Sequence, residues 1–177
     1  METNAPKRSL IEAIKADDVE LMQDCIIAGA DIQIKDNLDH TLLHFACKVG
    51  SPNVAEALIR YQLDVNDEDI KGATPLHFAC ASGNTEMVEL LLNNKANLRA
   101  KDMNGWTPLH WASAKGELEI AKRLIQAGAS IRAVNSAHAT AVDLDTTGAL
   151  REFVSQQNIA TPPQPEEPNI APSFAQW

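Results

Sequence analysis

The chain has 177 residues, of which 45% are hydrophobic and 5% aromatic, and its formal net charge is −9. The apolar share suffices for a core packed mainly by small and aliphatic side chains. The acidic balance, with no basic cluster longer than Lys7-Arg8, argues against nucleic acid or a membrane surface as partner, because each requires a basic face.

A recurring phrase sets a ruler for the rest. Thr41-Leu42-Leu43-His44, Thr74-Pro75-Leu76-His77 and Thr107-Pro108-Leu109-His110 are spaced by 33 residues, and a worn copy follows at Thr140-Ala141-Val142-Asp143. A strict period of this size predicts stacked repeats, each too small to bury its own apolar face. Leu10, Leu43, Leu76, Leu109 and Val142 share one phase, and Ala13, Ala46, Ala79 and Ala112 share another. Gly50, Gly83 and Gly116 share a third.

In chain order, the polar start Met1–Pro6 lacks the apolar core of a signal peptide. The first copy, about 5–35, carries Arg8-Ser9-Leu10-Ile11-Glu12-Ala13, charged and without proline, as suits an end cap. Cys25 falls in its second helix and reads as core. The second copy spans about 36–68 and the third 69–101. In the third, Asp69-Ile70-Lys71-Gly72 reads as a turn, Thr74 as a helix cap and Pro75 as the first helical residue. Gly83 ends that helix, and Asn84 caps a second one built on Met87, Val88, Leu90, Leu91 and Leu92. The fourth copy, about 102–134, repeats the plan. The fifth, about 135–157, is truncated and places Asp143 and Asp145 at the His and Ala phases, consistent with a second cap. Residues 158–177 form a proline-rich tail, extended or disordered, ending in Phe174-Ala175-Gln176-Trp177.

These residues resemble the ankyrin repeat family. The likeness rests on Gly-x-Thr-Pro-Leu-His-x-Ala at 72–79 and 105–112, on Gly-x-x-Glu followed by two apolar residues at 83–88, and on Gln126-Ala127-Gly128-Ala129. It covers roughly 7–155 and implies an all-α solenoid of five helix-turn-helix repeats with short β-turn fingers and an extended C-terminal tail. It also implies that His44, His77 and His110 tether neighbouring loops. Finally, it implies a concave binding surface formed by the turn tips and the first helices.

Two pairs, His44-x-x-Cys47 and His77-x-x-Cys80, invite a metal or thiol reading. Ser113 takes the cysteine phase in the next copy, which marks a small packing position instead. The chain has no glycine-rich phosphate loop, nucleophile elbow or zinc spacing, so no catalytic residue, cofactor or metal is assigned. Asp64-x-x-Asp67-Glu68-Asp69 lacks the glycine and terminal glutamate of a calcium loop and reads as a solvated acidic patch. The segment from Leu58 to Asn66 resembles an ankyrin context in which asparagine is hydroxylated.

Positions that the repeat does not dictate are better functional candidates. At the tips these are Leu38 and His40, then Ile70 and Lys71, then Met103, Asn104 and Trp106. Lys115 extends the surface, and Phe174 and Trp177 offer a second docking motif or a self-docking one. Trp106 beside Met103 and Ile70 has the composition of an interface hot spot. Trp111, at the phase of Phe45 and Phe78, is expected in the core or on the groove floor. Tyr61 is assigned to the convex side. The reading is a non-enzymatic adaptor, scaffold or regulatory subunit, monomeric or within a hetero-complex, binding a protein with a basic or helical surface. The alternative is an inhibitor of one target. Three cysteines without framework spacing, and no membrane-length apolar stretch, place the chain in the cytoplasm or also the nucleus.

Overall fold

The computed structural model describes residues 5–157, with side chains from Leu10 onward. Phe174, Trp177 and the rest of the proline-rich segment lie outside the described residues. Ten helices follow in order: α1 Ala5–Ala16, α2 Val19–Ile27, α3 Leu42–Val49, α4 Pro52–Arg60, α5 Pro75–Ser82, α6 Thr85–Asn93, α7 Pro108–Lys115, α8 Leu118–Gln126, α9 Ala141–Leu144 and α10 Ala149–Gln156.

The helices form five successive pairs in two layers. The odd-numbered helices α1 to α9 stack on one another as an inner layer, and the even-numbered helices α2 to α10 stack behind them. None exceeds 12 residues, short of the length at which a helix holds alone in water, so burial between neighbours supplies the stability. Leu10, Leu43 and Leu76 are fully buried along the inner layer, and Leu109 and Val142 continue the row. Ala13, Ala46, Ala79 and Ala112 are equally buried, and their small side chains let the inner helices approach closely.

Local chemistry sets each boundary. Thr41, Thr74, Thr107 and Thr140 sit in extended conformation at the starts of α3, α5, α7 and α9, and the residue three on closes each capping box. Pro75 and Pro108 take the first turn, where a missing N–H is harmless. Gly50, Gly83 and Gly116 end α3, α5 and α7 in the left-handed region. Asp18 and Asn84 cap α2 and α6 through their side chains.

Helix α4 has no cap of its own. Asp17 of the preceding pair supplies one, accepting from the Val54 N–H at 2.9 Å and the Asn53 Nδ2 at 2.8 Å. The last pair keeps both helices, but α9 is only four residues long. It stops at Asp145, whose carboxylate accepts from the Leu150 N–H at 2.7 Å and the Thr147 N–H at 3.0 Å, starting the next helix instead of prolonging the first. Among the described residues, no helix is long and apolar enough to cross a membrane.

Candidate concave binding surface

Each loop entering α3, α5, α7 and α9 folds into a finger organised by one Asx residue. Asp36, Asp69, Asp102 and Asn135 share a phase, and the backbone N–H of each donates to the carbonyl four residues on. The side-chain Oδ1 of each accepts two further tip N–H groups, as Asp69 does from Lys71 and Ala73 at 2.8 Å and Asp102 from Asn104 and Trp106 at 2.9 Å. Neighbouring fingers are then stitched edge to edge. Ile70 N–H donates to the Leu38 carbonyl at 2.9 Å, Met103 N–H to Lys71 at 2.7 Å and Ser136 N–H to Asn104 at 2.9 Å.

The three repeat histidines tie these fingers to the helices. Nδ1 of His44, His77 and His110 accepts from the backbone N–H of the capping threonine at 3.0–3.1 Å. Nε2 therefore carries the proton and donates, at 3.1 Å, to the carbonyls of Ala73, Trp106 and Ala139. Burial holds all three imidazoles below their ordinary pKa, and the carbonyl each one meets opposes that shift. Cys47 and Cys80 are fully buried, and burial pushes both thiols well up, which leaves them poor nucleophiles. No group of three or more potential metal ligands occurs among the described residues. The His-Cys pairs thus serve packing and tethering.

The tips present an apolar ladder. Leu38, Ile70 and Met103 are 46%, 60% and 68% exposed, large fractions for such side chains on successive fingers. Lys71 and Asn104 are exposed beside them, and Lys115 is exposed at the end of α7. Trp106 departs from the expectation of an exposed anchor and is half-buried. Its N–H is held by Asp102, its carbonyl by His77, and its ring lies 6.3 Å from that of His110. His40 is also half-buried, with Nδ1 2.9 Å from Asp36 Oδ2 and Nε2 3.2 Å from Asp69 Oδ2. The acidic run departs from the solvated reading at one residue: Asp69 is buried as a finger organiser, whereas Asp64 and Glu68 are exposed and Asp67 pairs with Lys35 at 2.8 Å. Asn66 itself bridges two loops, accepting from Asn97 N–H at 2.7 Å. Tyr61 is exposed at the end of α4.

Beneath the tips, aromatic rings line the groove. His40 meets Phe78 edge-on at 5.3 Å, and Phe78 meets Trp111 at 5.7 Å. Trp111 Nε1 donates to Asp102 Oδ2 at 3.1 Å, so this ring is half-buried on the groove floor. Two concavities open here. One, of about 290 Å³, lies among Ile11, Ile34, Leu42 and Phe45. The other, of about 310 Å³, lies among Asp69, Ile70, Asp102 and Trp111. Leu38, His40 and Phe78 line both. The second oxygens of Asp69 and Asp102 were invisible as site features in the sequence, because only the folded stack brings them beside the aromatic phase.

A family model described as ankyrin repeats (3 copies) matches residues 10–102 and, overlapping, 62–135, together more than half of the chain. No curated protein matches.

Proposed function

We propose that this chain, which belongs to the ankyrin repeat family, is a non-catalytic recognition module that holds a partner protein against its fingers and inner helices. The observation that carries the reading is the exposed row Leu38, Ile70 and Met103 on fingers whose backbones are closed by their Asx residues and stitched to one another. The scaffold needs none of these three side chains. Exposed apolar groups on rigid supports favour association, because little ordering entropy is lost when a partner covers them. Lys71, Asn104 and Trp106 flank the row and belong to the same proposed contact, with Lys115 at its margin. His44, His77 and His110 are engaged as tethers between finger and helix, and Cys47 and Cys80 are buried thiols pushed up by that burial.

A photo-crosslinker at position 103, compared with one at position 27, tests this reading in extract of the source cell. Ile27 is 83% exposed at the end of α2 in the outer layer, which makes it a matched apolar control. Adducts at 103 and not at 27 are expected. Equal labelling at both positions contradicts a concave site.

A further inference from the structure

Resting on the concave-surface reading, we infer that the partner presents a short extended segment bearing an apolar anchor and, about three residues away, an arginine or lysine. The first concavity is walled by Ile11, Ile34, Leu42 and Phe45, with Lys35, Asp36 and Lys48 also lining it, and its mainly apolar wall suits an apolar side chain. The second differs in chemistry. Phe78 and Trp111 line it, and so do the buried carboxylates of Asp69 and Asp102.

Both carboxylates use Oδ1 twice on the fingers, while Asp102 Oδ2 accepts once, from Trp111 Nε1 at 3.1 Å, and Asp69 Oδ2 lies 3.2 Å from His40 Nε2. A carboxylate oxygen accepts two hydrogen bonds, so each Oδ2 keeps one lone pair for a donor in the concavity. Aromatic rings beside two carboxylates select a cation, and a planar guanidinium suits both partners best. The net charge of −9 draws a basic segment toward the chain. Lys71, exposed at the rim of this concavity, supplies an opposing charge.

The spacing follows from the stack. Leu38, His40 and Phe78 separate the two concavities. Stacked helices lie about 8–10 Å apart, and an extended chain advances about 3.3 Å per residue, which gives about three residues from anchor to cation.

The test is a random-peptide phage library panned on the full chain, followed by anisotropy titration of the selected peptides. Selected peptides should share an apolar residue and an Arg or Lys three or four positions apart. Changing that basic residue to Glu should weaken binding by about tenfold or more. Lys71→Ala should tighten binding, because it removes the repulsive charge. Selection of peptides without the basic residue, weakening by Lys71→Ala, or no selection at all overturns the inference. Peptides that lack the motif yet lose affinity with Met103→Glu overturn this inference alone and leave the concave surface standing. Peptides indifferent to Met103→Glu and Lys71→Ala overturn both.

Discussion

Replacing His77 separates the two jobs assigned to the repeat histidine. His77→Ala removes a fully buried ring. It strands the Thr74 N–H, which donates to Nδ1 at 3.0 Å, and it releases the Trp106 carbonyl, which accepts from Nε2 at 3.1 Å. A stranded buried N–H costs about 1–3 kcal/mol, and a lost hydrogen bond to a group with another partner costs about 1 kcal/mol. The Trp106 carbonyl belongs to the second class, since it still accepts from Asp102 N–H at 3.0 Å. With the void left by the ring, the total is about 3–4 kcal/mol.

His77→Asn should cost only about 1–2 kcal/mol, because a short acceptor can keep the cap while losing the tether. The molecule contains the precedent: Asp143, at the same phase, accepts from the Thr140 N–H at 2.9 Å and reaches no following finger among the described residues. Equilibrium urea unfolding followed by circular dichroism gives both numbers. If the two variants are equally destabilised, or if His77→Ala costs less than about 1 kcal/mol, the division into cap and tether is wrong.

Stability should fall as the medium turns acidic. His44, His77 and His110 stay neutral in the fold but take up protons in the unfolded chain below about pH 6.5, so stability is full above that pH and declines below it. The slope is at most about 1.4 kcal/mol per pH unit for each histidine, and a urea midpoint that stays flat between about pH 7.5 and 5.5 would falsify the neutral-tether assignment. Cys47 and Cys80 should resist a thiol reagent in the native state and react only as fast as the chain opens, as read by peptide mapping; rapid native labelling of either refutes their burial. Gly105→Ala should cost about 1–2 kcal/mol, because a left-handed conformation disfavours a side chain. The position has φ of 72°, and a Cβ there would meet Ser136 N at 3.0 Å. An unchanged urea midpoint refutes that estimate.

Repeat spacing and cap chemistry were readable from the sequence because both are local. Thr74, Pro75 and Gly83 do what their types and positions demand. The tethering role of the histidines came through the family resemblance, and each histidine does reach the next finger. What escaped the reading depends on contacts across repeats. Asp17 caps a helix about 36 residues away, which no spacing within a copy announces. Asp69 looked like part of a solvated acidic run, yet Lys71 N–H, Gly72 N–H and both main-chain groups of Ala73 in its own finger bond it, and His40 of the preceding finger lies against its carboxylate. Trp106 looked like a free anchor, but the finger closure fixes its backbone and lays its ring toward His110. Leu38, Ile70 and Met103 were identified by subtraction, as apolar residues at positions that the scaffold leaves free, and they are exposed.

The claim that the fingers carry recognition is tested most directly by a quantitative capture comparison in extract of the source cell. The double variant Ile70→Glu with Met103→Glu alters two exposed side chains on the fingers, and Ile27→Glu places one such charge at an exposed apolar position of the outer layer. The account predicts that proteins retained by the unaltered chain drop by about tenfold or more on the double variant and stay level on Ile27→Glu, with helical circular dichroism unchanged in both. Retention by the double variant at the unaltered level, or loss on Ile27→Glu, contradicts it.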